Sequence, residues 1–176
     1  SGNYPIGSII IDDVHACMDK IIGQFMIKIN AETDAYKELI AIFSSSLKDY
    51  NPKNYIDIVE MKDCRKNMLV PYWEWQRQQD NVYRILTKYN NSDNNAIYFG
   101  LPLIERCLET CDCIITDSAI EISPKGIDLE KISSLEDASR RIYMSATLAD
   151  DSVFVSALGL ATEDMKNIIT PENAND

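Results

Sequence analysis

The chain opens with a short, continuous apolar run. Isoleucine fills positions 9–11, and the residues that follow at once are polar. Such a run predicts a strand buried on both faces, which is the usual state of parallel strands covered by helices. Open α/β sheets bind ligands at the carboxyl ends of their strands. The polar residues next to the run are therefore the first candidates for chemistry: Asp12, Asp13 and His15.

Apolar residues recur with helical spacing over most of the stretch 16–108. The spacing predicts helices at 16–29, 36–47, 71–89 and 96–108. The last helix is expected to break near Gly100 and Pro102, and 55–67 fits either a helix or a short strand. Asparagine and serine at 90–95 predict a loop.

The pattern changes after position 108. Two short runs, 111–116 and 119–123, flank Asp117-Ser118 and predict a hairpin. The remaining elements are a short helix at 134–139, a buried strand at 141–145, a helix at 150–158 closed by Gly159, and a frayed tail at 170–176. Predicted strands thus stand near both ends of the chain, with a mostly helical stretch between them.

Length and composition are those of an ordinary globular chain. It has 176 residues, of which 45% are hydrophobic, enough for one domain with a proper core. No apolar stretch reaches transmembrane length and no signal peptide is recognisable, so we expect a cytoplasmic protein with no membrane partner. The net charge of −11 argues against a surface that wraps nucleic acid everywhere, but it permits a local basic strip.

Two short motifs at the strand ends point to a family. Asp12-Asp13-Val14-His15 resembles motif II, the Walker B motif, of superfamily 2 helicases of the DEAD/DEAH-box type. Ser145-Ala146-Thr147 resembles their motif III. Each motif follows an apolar run, and the two occur in the family's order. The resemblance implies an ATP-dependent nucleic-acid helicase of α/β fold, in which part of a RecA-like (P-loop NTPase) sheet carries a mostly helical insertion.

The resemblance also implies roles for the motif residues. Asp12 would hold the Mg²⁺ of bound ATP, directly or through water, and Asp13 would orient or deprotonate the water that attacks the terminal phosphate. His15 and the hydroxyls of Ser145 and Thr147 would couple hydrolysis to movement along DNA or RNA. The family normally has glutamate where this chain has Asp13. The shorter side chain retracts the carboxylate by about one bond length, and catalytic geometry is sensitive to displacements of about 1 Å.

The phosphate-binding loop of such a motor is missing from the sequence. No Gly-x-x-x-x-Gly-Lys-[Ser/Thr] stretch occurs, so these residues do not supply the backbone amides that cradle the α- and β-phosphates. We therefore expect a fragment of the first RecA-like domain, from motif II to just beyond motif III. By itself it would neither hydrolyse ATP nor unwind nucleic acid. The full-length protein would use ATP and Mg²⁺.

The long separation of the two motifs predicts three parts. Residues 1–29 would carry the motif II strand and its helix, and 30–108 would form a helical insertion. Residues 109–176 would carry the strands, motif III and the following helix of the RecA-like domain. Compact members of the family have far fewer residues between motif II and motif III. The insertion is the part that could recruit a protein partner.

A basic strip in the insertion is the second candidate site. On a single helix, Trp73, Arg77, Arg84 and Lys88 fall on one face, at offsets of 0, 4, 11 and 15. Arginines beside an exposed aromatic ring suit a single strand of DNA or RNA, through phosphate pairing and base stacking. A solvated helix face gives the same pattern and is the commoner meaning of such charges.

Cysteines raise the question of a metal site. Cys107, Cys111 and Cys113 form a Cys-x-x-x-Cys-x-Cys cluster, whereas structural zinc and iron–sulfur sites need four ligands at suitable spacings. On a strand, Cys111 and Cys113 point to the same side, as small buried apolar residues would. The second interpretation is favoured.

Three other functions remain as alternatives. The chain could be a non-catalytic module that recruits a partner protein, or a degenerate motor in which Asp13 no longer supports turnover. It could also belong to a double-strand translocase of a restriction or defence system. A hydrolase of another class is poorly supported, because His15 is the only histidine in the chain and the motif already uses it.

Overall fold

The computed structural model describes residues 7–92, 94–125, 138–145 and 169. The chain divides into two compact units, one formed by Ser1–Asp19 with Gly126–Asp176 and the other by Lys20–Lys125. Several predictions concern residues outside the described ranges: Ala146 and Thr147, the helix at 150–158 with Gly159, the tail at 170–176 and most of the helix at 134–139.

Helices and strands both occur along the described chain. The strands are β1 (Ser8–Ile11), β2 (Ile27–Asn30), β3 (Asn67–Leu69), β4 (Cys111–Thr116), β5 (Ala119–Pro124) and β6 (Arg140–Tyr143). The α-helices are α1 (Val14–Gln24), α2 (Asp34–Tyr50), α3 (Pro52–Tyr55), α4 (Tyr72–Arg77), α5 (Gln79–Lys88) and α6 (Asn95–Ile104). A π-helical turn at Ile56–Glu60 continues α3, and a 3₁₀ helix at Glu105–Thr110 continues α6. The predicted mixture of α and β structure is confirmed. None of the described helices is both long and apolar enough to cross a membrane.

In the first unit, β1 and β6 pair as parallel neighbours, with Ile11 opposite Tyr143. These are the strands predicted near the two ends of the chain, and both exist. The prediction that the strand at 141–145 is buried is wrong, because Arg140 and Arg141 are exposed and no residue of β6 is fully buried. The prediction that β1 is buried on both faces is wrong for Ile10, whose side chain is 63% exposed. The sheet has two strands within the described residues, and Ile10 faces outward from it.

The second unit is built on a four-stranded antiparallel sheet of order β2-β5-β4-β3. Ile122 of β5 lies opposite Ile27 on one side and Cys113 on the other, so the buried side chains of neighbouring strands share one face. The predicted hairpin is confirmed as β4 and β5. Helices α2 and α6 both pack against β2.

The hydrophobic core of this unit includes residues of α2 and α4. The rings of Phe43 and Trp75 stack with centroids 6.1 Å apart, and the Trp75 indole N–H donates to the Leu108 carbonyl at 2.9 Å. Helix α2 begins at Thr33, whose hydroxyl accepts the Tyr36 amide at 3.3 Å. The amphipathic helix predicted for this segment is confirmed and extends further in both directions.

The helix predicted at 16–29 is wrong in its last part. Helix α1 ends at Gln24, and β2 follows with Ile27 and Ile29 buried and Lys28 exposed. This alternation is that of a strand, and β2 exists because β5 supplies its hydrogen-bonding partner. Local spacing does not reveal so distant a partner.

The single helix predicted at 71–89 is also wrong. Gln78 has a φ of −99° and a ψ of 6°, which is not helical, and it separates α4 from α5. Its side-chain amide donates to the Ile42 carbonyl at 3.3 Å and to the Glu74 carboxylate at 3.2 Å. These contacts with α2 and α4 stabilise the break.

Two further segments differ in detail from the prediction. Helix α6 continues through Gly100 and Pro102, and the change to 3₁₀ geometry comes at Glu105. The ambiguous stretch 55–67 contains a π-helical turn and the first residue of β3, so it includes both helical and strand structure.

The second compact unit is larger than the insertion predicted at 30–108. The difference arises from β2 and from the β4–β5 hairpin, which pair with one another and with β3. The sequence assigns this hairpin to the RecA-like sheet with β6, whereas the structure places it in a separate antiparallel sheet.

Candidate functional site

Asp12 and Asp13 lie directly after β1, at the carboxyl end of the strand, and both are exposed. Oδ1 of Asp12 accepts the Asp13 amide at 3.0 Å. Oδ2 of Asp12 has no hydrogen-bond partner among the described residues. Asp12 therefore presents a carboxylate oxygen to solvent at the end of a strand.

Asp13 also caps the amino terminus of α1. Its Oδ1 accepts the Ala16 amide at 3.4 Å, and its carbonyl accepts the Cys17 amide at 3.1 Å, which begins the helix. The φ of Asp13 is 48°, in the left-handed region that aspartate tolerates better than most residues. Because backbone strain clusters at functional sites, this conformation fits a functional residue as well as a cap.

The end of β6 lies beside this turn. The Met144 amide donates to the Ile11 carbonyl at 2.9 Å, and the Val14 amide donates to the Met144 carbonyl at 3.0 Å. Met144 is thus hydrogen-bonded to the residue before Asp12 and to the residue after Asp13. Ser145 follows Met144 in the chain. Because β1 and β6 are parallel, Ser145 and the two carboxylates lie at the same end of the sheet.

His15 and Ser145 are both half-buried. His15 lies in the first turn of α1, next to Val14, which is fully buried. The structure therefore gathers the described motif residues at one end of the two-stranded sheet: Asp12, Asp13, His15 and Ser145. Ala146 and Thr147 lie outside the described residues.

The predicted basic strip falls on two helices. Trp73 and Arg77 belong to α4, whereas Arg84 and Lys88 belong to α5. The expectation of one continuous helix face is therefore wrong, although all of these side chains are exposed. The Trp73 ring packs edge-on against Tyr50 of α2, with centroids 5.6 Å apart.

Arg77 is held by a buried carboxylate. Glu74 is 1% exposed, and its Oε2 lies 2.5 Å from Arg77 Nη2 and accepts the Ser46 hydroxyl at 2.7 Å. Burial raises the pKa of Glu74, but hydrogen bonds from Ser46, Arg77 and Gln78 lower it by more, so this pKa lies below its ordinary value. The network ties α4 to α2 and gives Arg77 a structural role.

Lys88 is paired with a carboxylate at the surface. Its Nζ lies 2.5 Å from Oε1 of Glu38, which also accepts the Tyr89 hydroxyl at 2.8 Å. A hydrogen bond from Lys88, and to a smaller extent one from Tyr89, lowers the pKa of Glu38. In contrast, Arg84 donates to Asn81 Oδ1 at 2.9 Å, and within the described ranges it makes no ion pair with a carboxylate.

Cys111 and Cys113 lie on the buried face of β4, as predicted. Burial raises the pKa of the Cys111 thiol to about 12 and raises that of Cys113 as well. Both are therefore protonated, unreactive thiols near neutral pH. In the described part of the chain, no group of three or more metal-binding side chains is placed to hold an ion.

Sequence reasoning missed the residues of α2 that contact the basic strip. Glu38, Ser46 and Tyr50 meet Lys88, Arg77 and Trp73 in turn. Their helical spacing indicates that they share one face of α2. It does not indicate which helices contact that face.

Comparison with known proteins gives no match to a family model, to a curated protein or to a solved structure.

Proposed function

We propose that these residues belong to the motor of an ATP-dependent nucleic-acid helicase, with Asp12 and Asp13 at the ATP phosphates. The observation that carries the proposal is the parallel pairing of β1 with β6. It brings Asp12 and Asp13 to the same end of a sheet as Ser145, which is far from them in the sequence. The carboxyl edge of parallel strands is where open α/β sheets bind ligands.

Asp12 suits a magnesium ion bound with ATP. Mg²⁺ is typically held by one or two carboxylates together with phosphate oxygens and waters, and Asp12 offers an exposed Oδ2 at the strand end. Bound Mg²⁺ would neutralise charge that develops on the phosphates. The phosphate-binding loop would come from sequence outside the 176 residues, which contain no such motif.

Asp13 is the candidate for orienting the attacking water. Its capping bond to the Ala16 amide is 3.4 Å long, outside the usual range of about 2.7–3.2 Å for strong N–H···O bonds. An ionised carboxylate has roughly four acceptor positions. Asp13 therefore keeps acceptor capacity for water while it caps α1.

Ser145 is the candidate for transmitting changes at the carboxylates. Met144 bonds to Ile11 and Val14 on either side of the carboxylate turn, so a displacement of the turn would reach the adjacent Ser145 through the backbone. We expect Ser145→Ala to leave ATP hydrolysis nearly unchanged in the full-length protein but to reduce strand displacement. Ser92→Ala, in an exposed turn, is the matched control, and equal loss of both activities in Ser145→Ala would contradict this role.

The test of the proposed function uses the full-length gene product that carries these residues. ATP hydrolysis is measured with and without single-stranded DNA or RNA, and strand displacement is measured in parallel. Stimulated hydrolysis with displacement supports the helicase. Hydrolysis without displacement supports the translocase instead, and no hydrolysis supports a non-catalytic or degenerate module.

A further inference from the structure

A line of contacts along α2 reaches three of the four residues of the basic strip. Glu38, Ser46 and Tyr50 lie on one i±4n ridge of α2 together with Ile42. Their partners follow in reverse chain order: Lys88 at Glu38, Arg77 at Ser46, and Trp73 at Tyr50. We call this surface the α2 seam, and it spans about 18 Å at about 1.5 Å per residue.

The α2 seam ends in an exposed aromatic pair. The side chains of Trp73 and Tyr50 are 62% and 58% exposed although their rings contact each other. Trp75, the other tryptophan of the chain, is 1% exposed. Only Trp73 therefore offers an indole face to a ligand. Aromatic faces at the surface stack on nucleic-acid bases with little dependence on sequence.

The other end of the α2 seam is an open groove with basic edges. The groove has a volume of about 410 Å³ and is lined by Glu38, Ala41, Ile42, Arg84, Ile85 and Lys88. Ala41, Ile42 and Ile85 supply an apolar surface, and the two basic side chains stand beside it. Ligand sites commonly combine an apolar cavity of this size with a few charged groups.

The cations of the α2 seam differ in how strongly carboxylates hold them. Arg84 makes no ion pair in the described part of the chain, whereas Lys88 is paired with half-buried Glu38. Arg77 is bound to buried Glu74, yet 63% of its side chain is exposed, and a guanidinium has further N–H donors. A phosphate can therefore reach Arg84 directly and Lys88 by exchange with Glu38.

We infer that the α2 seam binds a single strand of DNA or RNA, with a base stacked on Trp73 and Tyr50 and phosphates at Arg77, Arg84 and Lys88. The role of this strand as the motor's track rests on the proposed function. Binding itself does not require ATP, so the strand-binding inference and the proposed helicase function can fail separately. The alternative occupant, an acidic protein segment, would use the cations but would not require stacking.

The test measures binding of fluorescent oligo-dT and oligo-U to the 176-residue chain by anisotropy at several salt concentrations. With three cations, the slope of log affinity against log salt should be about −2, and Arg84→Ala with Lys88→Ala should reduce it to about −0.7. The control is the double substitution Lys28→Ala with Arg65→Ala, which also removes one lysine and one arginine. These two residues form ion pairs outside the α2 seam, so the slope should stay unchanged. The tighter-binding oligonucleotide identifies DNA or RNA as the ligand.

Stacking is tested separately through Trp73. Trp73→Ala should weaken binding by about fivefold or more, whereas Trp73→Phe should retain most of the affinity. Phe99→Ala removes an exposed aromatic ring from α6 and should have no effect. Circular dichroism checks that each variant is folded.

Three results would overturn the inference. The first is no oligonucleotide binding at low salt. The second is equal weakening by the two double substitutions, which would indicate non-specific attraction by charge. The third is binding of poly-glutamate as tight as that of the oligonucleotides, which would favour an acidic protein segment. Loss of ATPase activity in the full-length Asp12→Asn protein, with intact oligonucleotide binding by the 176-residue chain that carries the same substitution, would separate the motor from the α2 seam.

Discussion

Asp13 caps α1 and is proposed to orient the attacking water, and one substitution separates the two roles. Asparagine caps helices as well as aspartate does and tolerates a positive φ, so Asp13→Asn keeps the geometry of the turn. It removes the negative charge that would orient or deprotonate water. We expect the kcat of ATP hydrolysis in the full-length protein to fall by about a hundredfold or more, with an unchanged melting temperature. Steady-state kinetics and thermal unfolding measure the two effects.

Asp13→Ala is the companion variant, because it removes the cap as well as the charge. It should lower the free energy of unfolding by about 1 kcal/mol. If Asp13→Asn keeps the original kcat, Asp13 acts only as a helix cap.

Glu74 makes the stability of the second unit depend on pH. Its pKa in the fold is below the ordinary 4.5, so its stabilising contribution is complete above that value and disappears as the pH falls through the folded pKa. Glu74→Gln should therefore lower the free energy of unfolding at neutral pH by about 1–3 kcal/mol. The difference should shrink in acid, below pH 4.5. Urea unfolding at both pH values tests this.

Glu105→Gln is the control for Glu74→Gln, because Glu105 is exposed. It should change stability little at either pH. A Glu74→Gln effect of equal size in neutral and acidic solution would show that the charge of Glu74 contributes nothing.

The sequence indicates some of these residues and conceals others. Asp12, Asp13 and His15 stand out because polar residues directly after an apolar run are visible along the chain. The burial of Glu74 is concealed, because it depends on Ser46 from another helix. The positive φ of Asp13 is likewise a property of the turn between β1 and α1.

At the level of elements, Gly100 sets how closely α6 approaches β2. A Cβ at this position would lie 2.6 Å from Ile27 Cγ1, so the Ile27 side chain would have to shift within the core. We expect Gly100→Ala to lower the free energy of unfolding by about 1–3 kcal/mol. Urea unfolding followed by circular dichroism measures it.

Gly23→Ala provides the matched control in α1. Among the described residues outside the backbone of α1, no atom lies within 4 Å of a Cβ built there, and alanine favours a helix over glycine by up to about 1 kcal/mol. This variant should be neutral or stabilising. Equal destabilisation by both substitutions would mean that contact with Ile27 is not the cause.

The predicted elements succeeded where one local signal was sufficient. Helix α2 follows from regular apolar spacing, and the β4–β5 hairpin follows from two apolar runs around a short turn. The strand β2 and the break at Gln78 were missed, because both depend on partners elsewhere in the chain. The fold class was predictable as mixed α/β, and the RecA-like identity stays a prediction.

For the whole molecule, long-range pairing limited what the sequence could predict. Lys28 and Glu121 form an ion pair of 2.7 Å although they are 93 residues apart. The sheet that contains them joins segments which the sequence assigns to three different parts. The three-part division stays a prediction, and the compact unit Lys20–Lys125 includes residues of each part.

The helicase proposal rests on the claim that Asp12 binds the magnesium of ATP in a nucleic-acid-dependent motor. The most direct measurement is the rate of ATP hydrolysis by the full-length protein, with single-stranded nucleic acid present, for Asp12→Asn and for Asp49→Asn. Both changes remove one exposed carboxylate charge. Asp12→Asn should reduce the rate by about a hundredfold or more, since a metal ion supplies several kcal/mol of transition-state stabilisation, while Asp49→Asn should leave it unchanged. Hydrolysis by Asp12→Asn at the original rate would contradict the claim.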